Sequence, residues 1–297
     1  MSGDEPDAAY AAAVRDAVGR ALDEDLGPEG DVTAALVPDG VTARCALRAR
    51  RPGVLAGRAC ATEAFARVGP DLLVEWRAAD GDAVEPGETL MEVTGRLRPI
   101  LTAERTALNF LGRLSGVATL TARFVAAAHA RNPGVQILDT RKTTPGLRVL
   151  EKAAVRAGGG TGYRMGLSDA VLVKDNHLAG TTITAAVRTA RDLWPGHLVE
   201  IECDTLGQVA EAAAAAADVV LLDNMDPKTV TEAIAVAHRD AAGPILTEVS
   251  GGVTLDNVGE YAAAGPDRIS VGALTHSAPV LDLGLDFVWT GEAPGEA

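Results

Sequence analysis

From residue 135 to residue 271 short apolar runs alternate with helix-length stretches, and this rhythm constrains the fold more than any other feature of the chain. Strand candidates stand at 135–138, 170–173, 198–203, 219–223, 245–249 and 269–271. Helix candidates lie between them at about 146–157, 181–193, 206–216, 227–239 and 254–264. Repeated strand-then-helix units imply parallel strands joined by right-handed crossovers. Six strand candidates fall short of the standard parallel barrel, so periodicity alone leaves an open sheet and an incomplete barrel both standing.

The preceding residues follow another pattern. Residues 8–22 are alanine-rich with Val14, Val18 and Leu22 at helical spacing, and Asp23-Glu-Asp-Leu-Gly is expected to break that helix. Between 42 and 92 short alternating or apolar runs (43–49, 53–56, 72–76, 89–93) are separated by Gly, Pro and Asp, with a helix at 61–68. That pattern predicts an α/β domain with an antiparallel or mixed sheet. The stretch from Asp80 to Leu90 resembles the turn grammar of biotinyl and lipoyl carrier domains, but it has no lysine at a hairpin tip, so its glycines serve turns. Residues 103–130 read as one or two helices opened by Glu104-Arg105, with Leu108, Leu111, Leu114 and Leu120 on an apolar stripe and Gly116 as a candidate bend. The alanine run 212–217 is most simply a helix.

Charge is distributed unevenly. Residues 139–177 hold seven cations against four carboxylates, although the whole chain has a formal net charge of −14. A basic segment in an acidic protein points to a small anionic ligand rather than a nucleic-acid surface. Thr144 as N-cap, Pro145 at the first helical position and Gly158 as a left-handed terminator would place Arg141 and Lys142 on a loop between a strand and a helix. In parallel sheets that is the ligand-binding end. Arg148, Lys152 and Arg156 fall on the helix and read as a solvated face, leaving Arg141, Lys142, Arg164 and Lys174 as the binding candidates.

The other strands end in similar chemistry. Glu200 and Glu202 lie on the third, Asp223 and Asn224 close the fourth, Ser250-Gly-Gly follows the fifth and Gly272 the sixth. Polar or glycine-rich ends on successive strands define a single rim site. Glu200 and Glu202 point to one side because side chains alternate along a strand, and Asp223 would add a third carboxylate. Such a group needs Lys142 and Lys174, or a divalent ion, to offset it. Magnesium suits sparse carboxylates completed by ligand oxygens, with Glu202 and Asp223 as its candidate ligands. No His or Cys cluster suggests zinc. Ser250-Gly-Gly before a helix near Thr254, with Gly272 on the next strand, reads as a phosphate cradle.

At 297 residues the chain has room for one barrel and a smaller domain. Its acidic balance speaks against nucleic acid or an anionic membrane as a partner. Cys45, Cys60 and Cys203 are an odd set without metal-like spacing and fit a reducing compartment. Residues 1–7 are acidic, so no secretion signal is expected, and no apolar run reaches the roughly 20 residues of a membrane span. A cytoplasmic location is the expectation.

The motifs Asp139-Thr-Arg-Lys-Thr-Thr-Pro-Gly, Gly158-Gly-Gly and Lys174-Asp-Asn-His resemble those of the quinolinate phosphoribosyltransferases (nicotinate-nucleotide pyrophosphorylases, carboxylating) of the type II phosphoribosyltransferase fold, over nearly the full chain. The resemblance implies an incomplete six-stranded α/β barrel at 116–274 with an N-terminal α/β sandwich domain at 1–115, to which 275–297 are a candidate completion. It also implies phosphoribosyl transfer from 5-phosphoribosyl pyrophosphate to the ring nitrogen of quinolinate, with loss of pyrophosphate and carbon dioxide.

In that reading Lys142, Lys174, Glu202 and Asp223 are the catalytic set, with Glu202 and Asp223 binding ribose hydroxyls and Mg2+. Ser250, Gly251, Gly252 and Gly272 hold the ribose phosphate, with Thr140, Val271 and Ala273 as further substrate-binding positions. Arg141 and Arg164 clamp carboxylates beside Tyr163, joined by Arg105 from the neighbouring subunit of a homodimer or higher oligomer. Without the resemblance, Arg105 would simply pair with Glu104.

One departure stands out. The family has Asn-His-Arg where this chain has Gly162-Tyr163-Arg164, and the histidine belongs to the aromatic-acid pocket. A paralogue acting on a different aromatic acid is therefore one alternative. A non-catalytic phosphosugar-binding protein is another, against which the full set of lysines and carboxylates speaks. A flavin- or aldolase-type barrel would be favoured only by a Schiff-base lysine, whereas Lys142 and Lys174 lie beside arginines and carboxylates.

Overall fold

A computed structural model describes residues 8–291. In chain order it contains α1 (Ala8–Leu26), β1 (Thr42–Ala49), β2 (Gly53–Val54), α2 (Arg58–Val68), β3 (Leu73–Trp76), β4 (Ala83–Val84), β5 (Thr89–Arg96) and α3 (Leu97–His129). There follow β6 (Gln136–Leu138), α4 (Arg148–Ala157), β7 (Val171–Val173), α5 (Ile183–Leu193), β8 (Val199–Cys203), α6 (Leu206–Ala214) and β9 (Val219–Asp223). The chain closes with α7 (Pro227–Asp240), β10 (Leu246–Ser250), α8 (Val258–Ala263), β11 (Arg268–Ser270), α9 (Ala273–His276) and β12 (Leu283–Gly291).

These elements form two compact units. The first takes the chain up to Leu120, then Thr144–Gly159, and resumes at Ala278. Its sheet is antiparallel in the order β12-β1-β5-β3, with β2 and β4 paired separately. The central strand β1 sets Leu47 between Leu285 and Met91, and every second residue from Ala43 to Ala49 is buried. The part of residues 275–297 beyond 291 lies outside the described residues.

Several local expectations change in this unit. Helix α1 does not break at Asp23 but runs to Leu26, because the acidic residues occupy its exposed side; Gly27, at φ +53°, follows it in the left-handed region. Helix α3 begins at Leu97 rather than at Glu104 and is continuous through Gly116. A Cβ at Gly116 would stand 2.0 Å from the Pro279 carbonyl oxygen, so close approach of another segment, not a bend, requires this glycine.

Helix α4 starts at Arg148, not after Thr144. Pro145-Gly146 instead forms the centre of a type II turn: the Leu147 N–H donates to the Thr144 carbonyl at 3.0 Å, and Gly146 has φ +78°. Thr144 is held by Glu151, which accepts its backbone N–H at 2.9 Å and its hydroxyl at 2.7 Å and pairs with Arg113 at 2.7 Å. Gly158 has φ −79° and the left-handed residue is Gly159. Lys152 is only 1% exposed, on the buried side with Leu150 and Glu151, so it does not belong to a solvated face.

The second unit spans Thr121–Thr143 and Gly160–Ser277. Its six strands are parallel in the order β6-β11-β10-β9-β8-β7. Strands β7 to β11 are neighbours in chain order and β6 adjoins β11, the order of a barrel wound in sequence and interrupted between β6 and β7. At that interruption Thr161 forms a parallel bridge with Leu138, so residues 160–163 run beside β6. Strands β8 and β9 are almost wholly buried, as parallel strands covered on both faces are. Helix α6 ends at Ala214 and Ala216 takes φ +60°, so the alanine run is helical only in its first half.

All three cysteines are buried free thiols, and burial pushes Cys45 up to about 11 and Cys60 and Cys203 up to about 12. They are packing residues rather than nucleophiles. No described helix is long and apolar enough to cross a membrane.

Candidate active site

The second unit encloses a cavity of about 790 Å³ at the carboxyl ends of its strands. Its lining follows the two-residue period of a strand: Leu172 and Lys174 from β7, Glu200 from β8, Leu221 and Asp223 from β9, Glu248 and Ser250 from β10, and Ser270 from β11. Strands β9 and β10 each supply two of these positions and β8 and β11 one, while Lys174 directly follows β7.

The basic side of the cavity comes from the loop after β6. Thr140 Oγ1 accepts the Lys142 N–H at 3.0 Å, and the Lys142 carbonyl accepts the Thr275 hydroxyl at 2.8 Å. A Cβ at Gly272 would lie 2.9 Å from Lys142 Cδ, so this glycine leaves room for the lysine stem. Lys142 makes no ion pair among the described residues. After β7, His177 Nδ1 pairs with the Lys174 N–H at 2.9 Å and closes the Lys174-Asp-Asn-His turn, while Lys174 Nζ pairs with Glu202.

Opposite this, Asn224 takes φ +53°, Gly251 φ +89° and Gly252 φ +63°. The Asn224 N–H donates to the Ser250 carbonyl at 2.9 Å and its side-chain amide to Asp223 at 2.5 Å. A Cβ at Gly251 would lie 2.2 Å from Asn224 Oδ1, so only glycine fits. Turns in which successive backbone N–H groups converge make anion-binding concavities, and the two glycines leave the backbone of this turn open to a ligand. The expected helix start near Thr254 is corrected: a turn closed by Thr254 N–H donating to Asn257 Oδ1 at 2.7 Å intervenes before α8. The cradle therefore consists of loop N–H groups.

The floor of the cavity is acidic. Glu200 and Glu248 are each 1% exposed. The Tyr163 hydroxyl donates to Glu200 and the Ser270 hydroxyl to Glu248, leaving Glu200 Oε1 and Glu248 Oε2 buried without a hydrogen-bond partner. Burial, and then the proximity of Glu200, push Glu248 up to about 8, against Ser270, Arg268 and Arg164. Burial likewise raises Glu200, against the Tyr163 hydrogen bond and the charges of Arg164, Arg268 and Lys174. Tyr163 is itself raised by burial and by Glu200, so its phenol keeps its proton at neutral pH.

Of the residues singled out from sequence, Thr140, Arg141, Lys142, Tyr163, Arg164, Lys174, Asp223, Ser250, Gly251, Gly252, Val271, Gly272 and Ala273 line this one cavity. Glu202 does not line it but is tied to Lys174, which does. Arg105 is an exposed residue of α3 in the other unit. Asn224, expected at the end of the fourth strand, also lines the cavity, whereas Glu248 and the left-handed backbone of Asn224 were not anticipated. The alternation that groups Leu246, Glu248 and Ser250 on one side of β10 was the available signal for Glu248, and a non-glycine residue at φ +53° carries no signal in sequence.

No group of three His, Cys, Asp or Glu side chains suited to a metal occurs among the described residues. Glu202 and Asp223 lie on the adjacent strands β8 and β9. That donor set suits magnesium, which keeps most of its coordination for water and ligand phosphates, and does not suit an ion that needs an all-protein cage.

The chain matches the family described as quinolinate phosphoribosyl transferase, N-terminal domain, over residues 31–115 and its C-terminal domain over residues 117–286. It is 43% identical over 282 residues to the nicotinate-nucleotide pyrophosphorylase [carboxylating] of Mycobacterium leprae, covering 93% of this chain and 97% of that protein. It is 40% identical over 282 residues to quinolinate phosphoribosyltransferase [decarboxylating] 1b of Nicotiana tabacum, covering 89% of this chain and 79% of that protein. Its fold is similar to the structure of the nicotinate-nucleotide pyrophosphorylase from Francisella tularensis, with TM-score 0.88, 36% identity and coverage of 93% and 96% of the two chains.

Proposed function

The chain belongs to the quinolinate phosphoribosyl transferase family, and from that premise we propose that it transfers phosphoribosyl from 5-phosphoribosyl pyrophosphate to the ring nitrogen of quinolinate. The products are nicotinate mononucleotide, pyrophosphate and carbon dioxide. The observation that carries the reading is the convergence, on one cavity, of the loop cations Arg141, Lys142 and Lys174, the glycine cradle at 250–252 and the rim carboxylate of Asp223.

The reaction needs no protein nucleophile. The ring nitrogen displaces pyrophosphate at C1 of the ribose as positive charge develops on the sugar, so the protein's task is positioning and electrostatic stabilisation. The loop N–H groups of Gly251 and Gly252 hold the 5-phosphate. Asp223 and Glu202 orient the ribose hydroxyls and face the developing positive charge. Lys142, which has no ion-pair partner among the described residues, receives negative charge from the leaving pyrophosphate. Arg141 and Arg164 orient the acceptor carboxylates through paired N–H donors. Once the ring nitrogen is quaternary, the carbon–carbon bond to the adjacent carboxylate breaks, its electrons remain on the ring carbon, and that carbon takes up a proton. Magnesium bound by Glu202, Asp223 and ligand oxygens would neutralise pyrophosphate charge.

Arg105 is assigned to the acceptor site of a neighbouring subunit in a homodimer, and the enzyme to the cytoplasm. A second acceptor reading, in which another aromatic acid replaces quinolinate, is favoured by one observation: the Tyr163 hydroxyl is engaged by Glu200. Release of carbon dioxide on mixing the protein with phosphoribosyl pyrophosphate and quinolinate, compared with pyrophosphate release on nicotinate and other aromatic acids, decides between them. Absence of pyrophosphate release with all of these acids would defeat both.

A further inference from the structure

A second cavity, of about 330 Å³, lies in the same unit. Gln136 and Arg268, which line it, are the first residues of β6 and β11, and Ala170 and Leu198, which also line it, directly precede β7 and β8. It therefore opens at the amino ends of the strands, the opposite end from the phosphoribosyl cavity. Tyr163 and Arg164 line both.

Arg164 and Arg268 supply the charge of this second cavity. Both are half-buried, and neither guanidinium makes a hydrogen bond or an ion pair among the described residues. The lone carboxylate in the lining, Asp169, is turned to the backbone, where its Oδ2 accepts the N–H groups of Met165 at 2.6 Å and Gly166 at 3.0 Å. Glu200 and Glu248, on β8 and β10, attract the two arginines through space without an ion-pair contact, and Lys174, on the rim after β7, acts on Glu200 from the other side. Neither glutamate lines the second cavity, so the two guanidinium groups are its cationic lining. No nitrogen of either guanidinium is among the buried atoms without a partner, so water reaches these donors and an oxyanion can take its place.

We propose that Arg164 and Arg268 form a second anion site, at the amino end of the barrel, for a small phosphate or carboxylate compound, and that its occupation draws Arg164 away from the acceptor. Planar guanidinium forks match both oxyanion types, and a volume near the lower end of ligand pockets suits a small compound. The coupling to the acceptor rests on the assignment of Arg164 as a carboxylate clamp, whereas the site itself does not.

The test is calorimetric titration of the full chain, saturated with phosphoribosyl pyrophosphate, with inorganic phosphate in one arm and malonate in the other. One additional anion per chain is expected. Its affinity should fall by about tenfold or more in Arg268→Gln, as loss of a charge-assisted bond implies, and likewise in Leu198→Glu, which places a carboxylate at the exposed mouth. The arm that binds more tightly tells phosphoryl from carboxylate ligands. No additional binding in either arm, or binding unchanged in both variants, overturns the site. In wild type the bound anion should also raise the acceptor KM, an effect absent in Arg268→Gln; binding without that rise overturns the coupling. Carbon dioxide release measured without added anion tests the main function separately.

Discussion

The Tyr163 hydroxyl donates its hydrogen bond to the Glu200 carboxylate inside the cavity that both side chains line. Its one proton is thus committed to the protein, and the phenol brings no positive charge to an acceptor that carries two carboxylates. A charge-assisted hydrogen bond is worth roughly 1.5 to 3 kcal/mol, or about one to two decades of affinity. Tyr163→His is therefore expected to raise kcat/KM for quinolinate by about tenfold or more, with a smaller change for a monocarboxylate acceptor. Steady-state kinetics on both acids check this. If the native protein already uses quinolinate efficiently and the variant gains nothing, the replacement is neutral.

Glu248 gives a pH dependence with a definite sign. Its carboxyl is raised from the ordinary 4.5 to about 8, so below pH 4.5 the folded and unfolded chains hold the proton alike. Between those values the unfolded chain ionises while the folded chain does not. Stability contributed by the raised group is fully present at the acid end and is lost as pH rises toward 8, by up to about 1.4 kcal/mol per pH unit. Glu248→Gln removes the group, and its Tm measured from pH 5 to 9 should show a shallower decline than wild type. Parallel curves for the two proteins would contradict the assignment. Ionisation above pH 8 also adds negative charge to the cavity, so wild-type affinity for an anionic acceptor should fall there.

Glu202 is tied to Lys174, and Asp223 accepts from the Asn224 amide. If these carboxylates hold the ribose hydroxyls and magnesium, Glu202→Ala and Asp223→Ala should each raise the KM for phosphoribosyl pyrophosphate by about tenfold or more and weaken the magnesium dependence of the rate. Chelation of magnesium should depress wild-type turnover more than that of the variants. Donor and metal kinetics unchanged in both would remove these residues from the site.

Much of the second unit was legible because parallel strands buried on both faces are short and apolar, and β9 falls on 219–223 as the apolar run does. Pro145 was ambiguous: it suits a helix start and the second position of a type II turn equally, and Gly146 beside it tips the balance to the turn. Lys152 could not be placed from composition, since helix periodicity marks a face but does not say that a lysine on it is buried. Glu248 was hidden in an apolar run, although its two-residue spacing from Ser250 was sufficient to turn it inward. Nothing local could reveal the Tyr163 to Glu200 bond, which joins residues 37 apart in sequence.

Arg105 is exposed on α3, as a residue that serves a neighbouring subunit must be when the chain is considered alone. Arg105→Ala and Lys142→Ala should each be inactive alone as homo-oligomers. Mixed under conditions that exchange subunits, they should regain part of wild-type activity, because one hybrid site then combines the intact arginine of one chain with the intact lysine of the other. No recovery, with exchange verified by mass, would remove the shared-site assignment.

Gly251 offers the most local test of the phosphate cradle. It holds φ +89°, where an alanine pays roughly 1 to 2 kcal/mol in backbone strain, and an added Cβ would stand 2.2 Å from Asn224 Oδ1, 2.7 Å from its Cγ and 2.9 Å from its backbone nitrogen. The last contact is main chain, so rotation of the Asn224 side chain cannot relieve it. Gly252 also has positive φ, at +63°, but an added Cβ there meets nothing within 4 Å. Gly252→Ala should therefore show the backbone cost alone, whereas Gly251→Ala must displace the 223–225 segment, with Asp223 in it. The expected result is a lower Tm for both, together with a rise in the KM for phosphoribosyl pyrophosphate that is larger for Gly251→Ala by about tenfold. Equal donor KM values in the two variants would separate Gly251 from phosphate binding and leave it a purely structural turn residue.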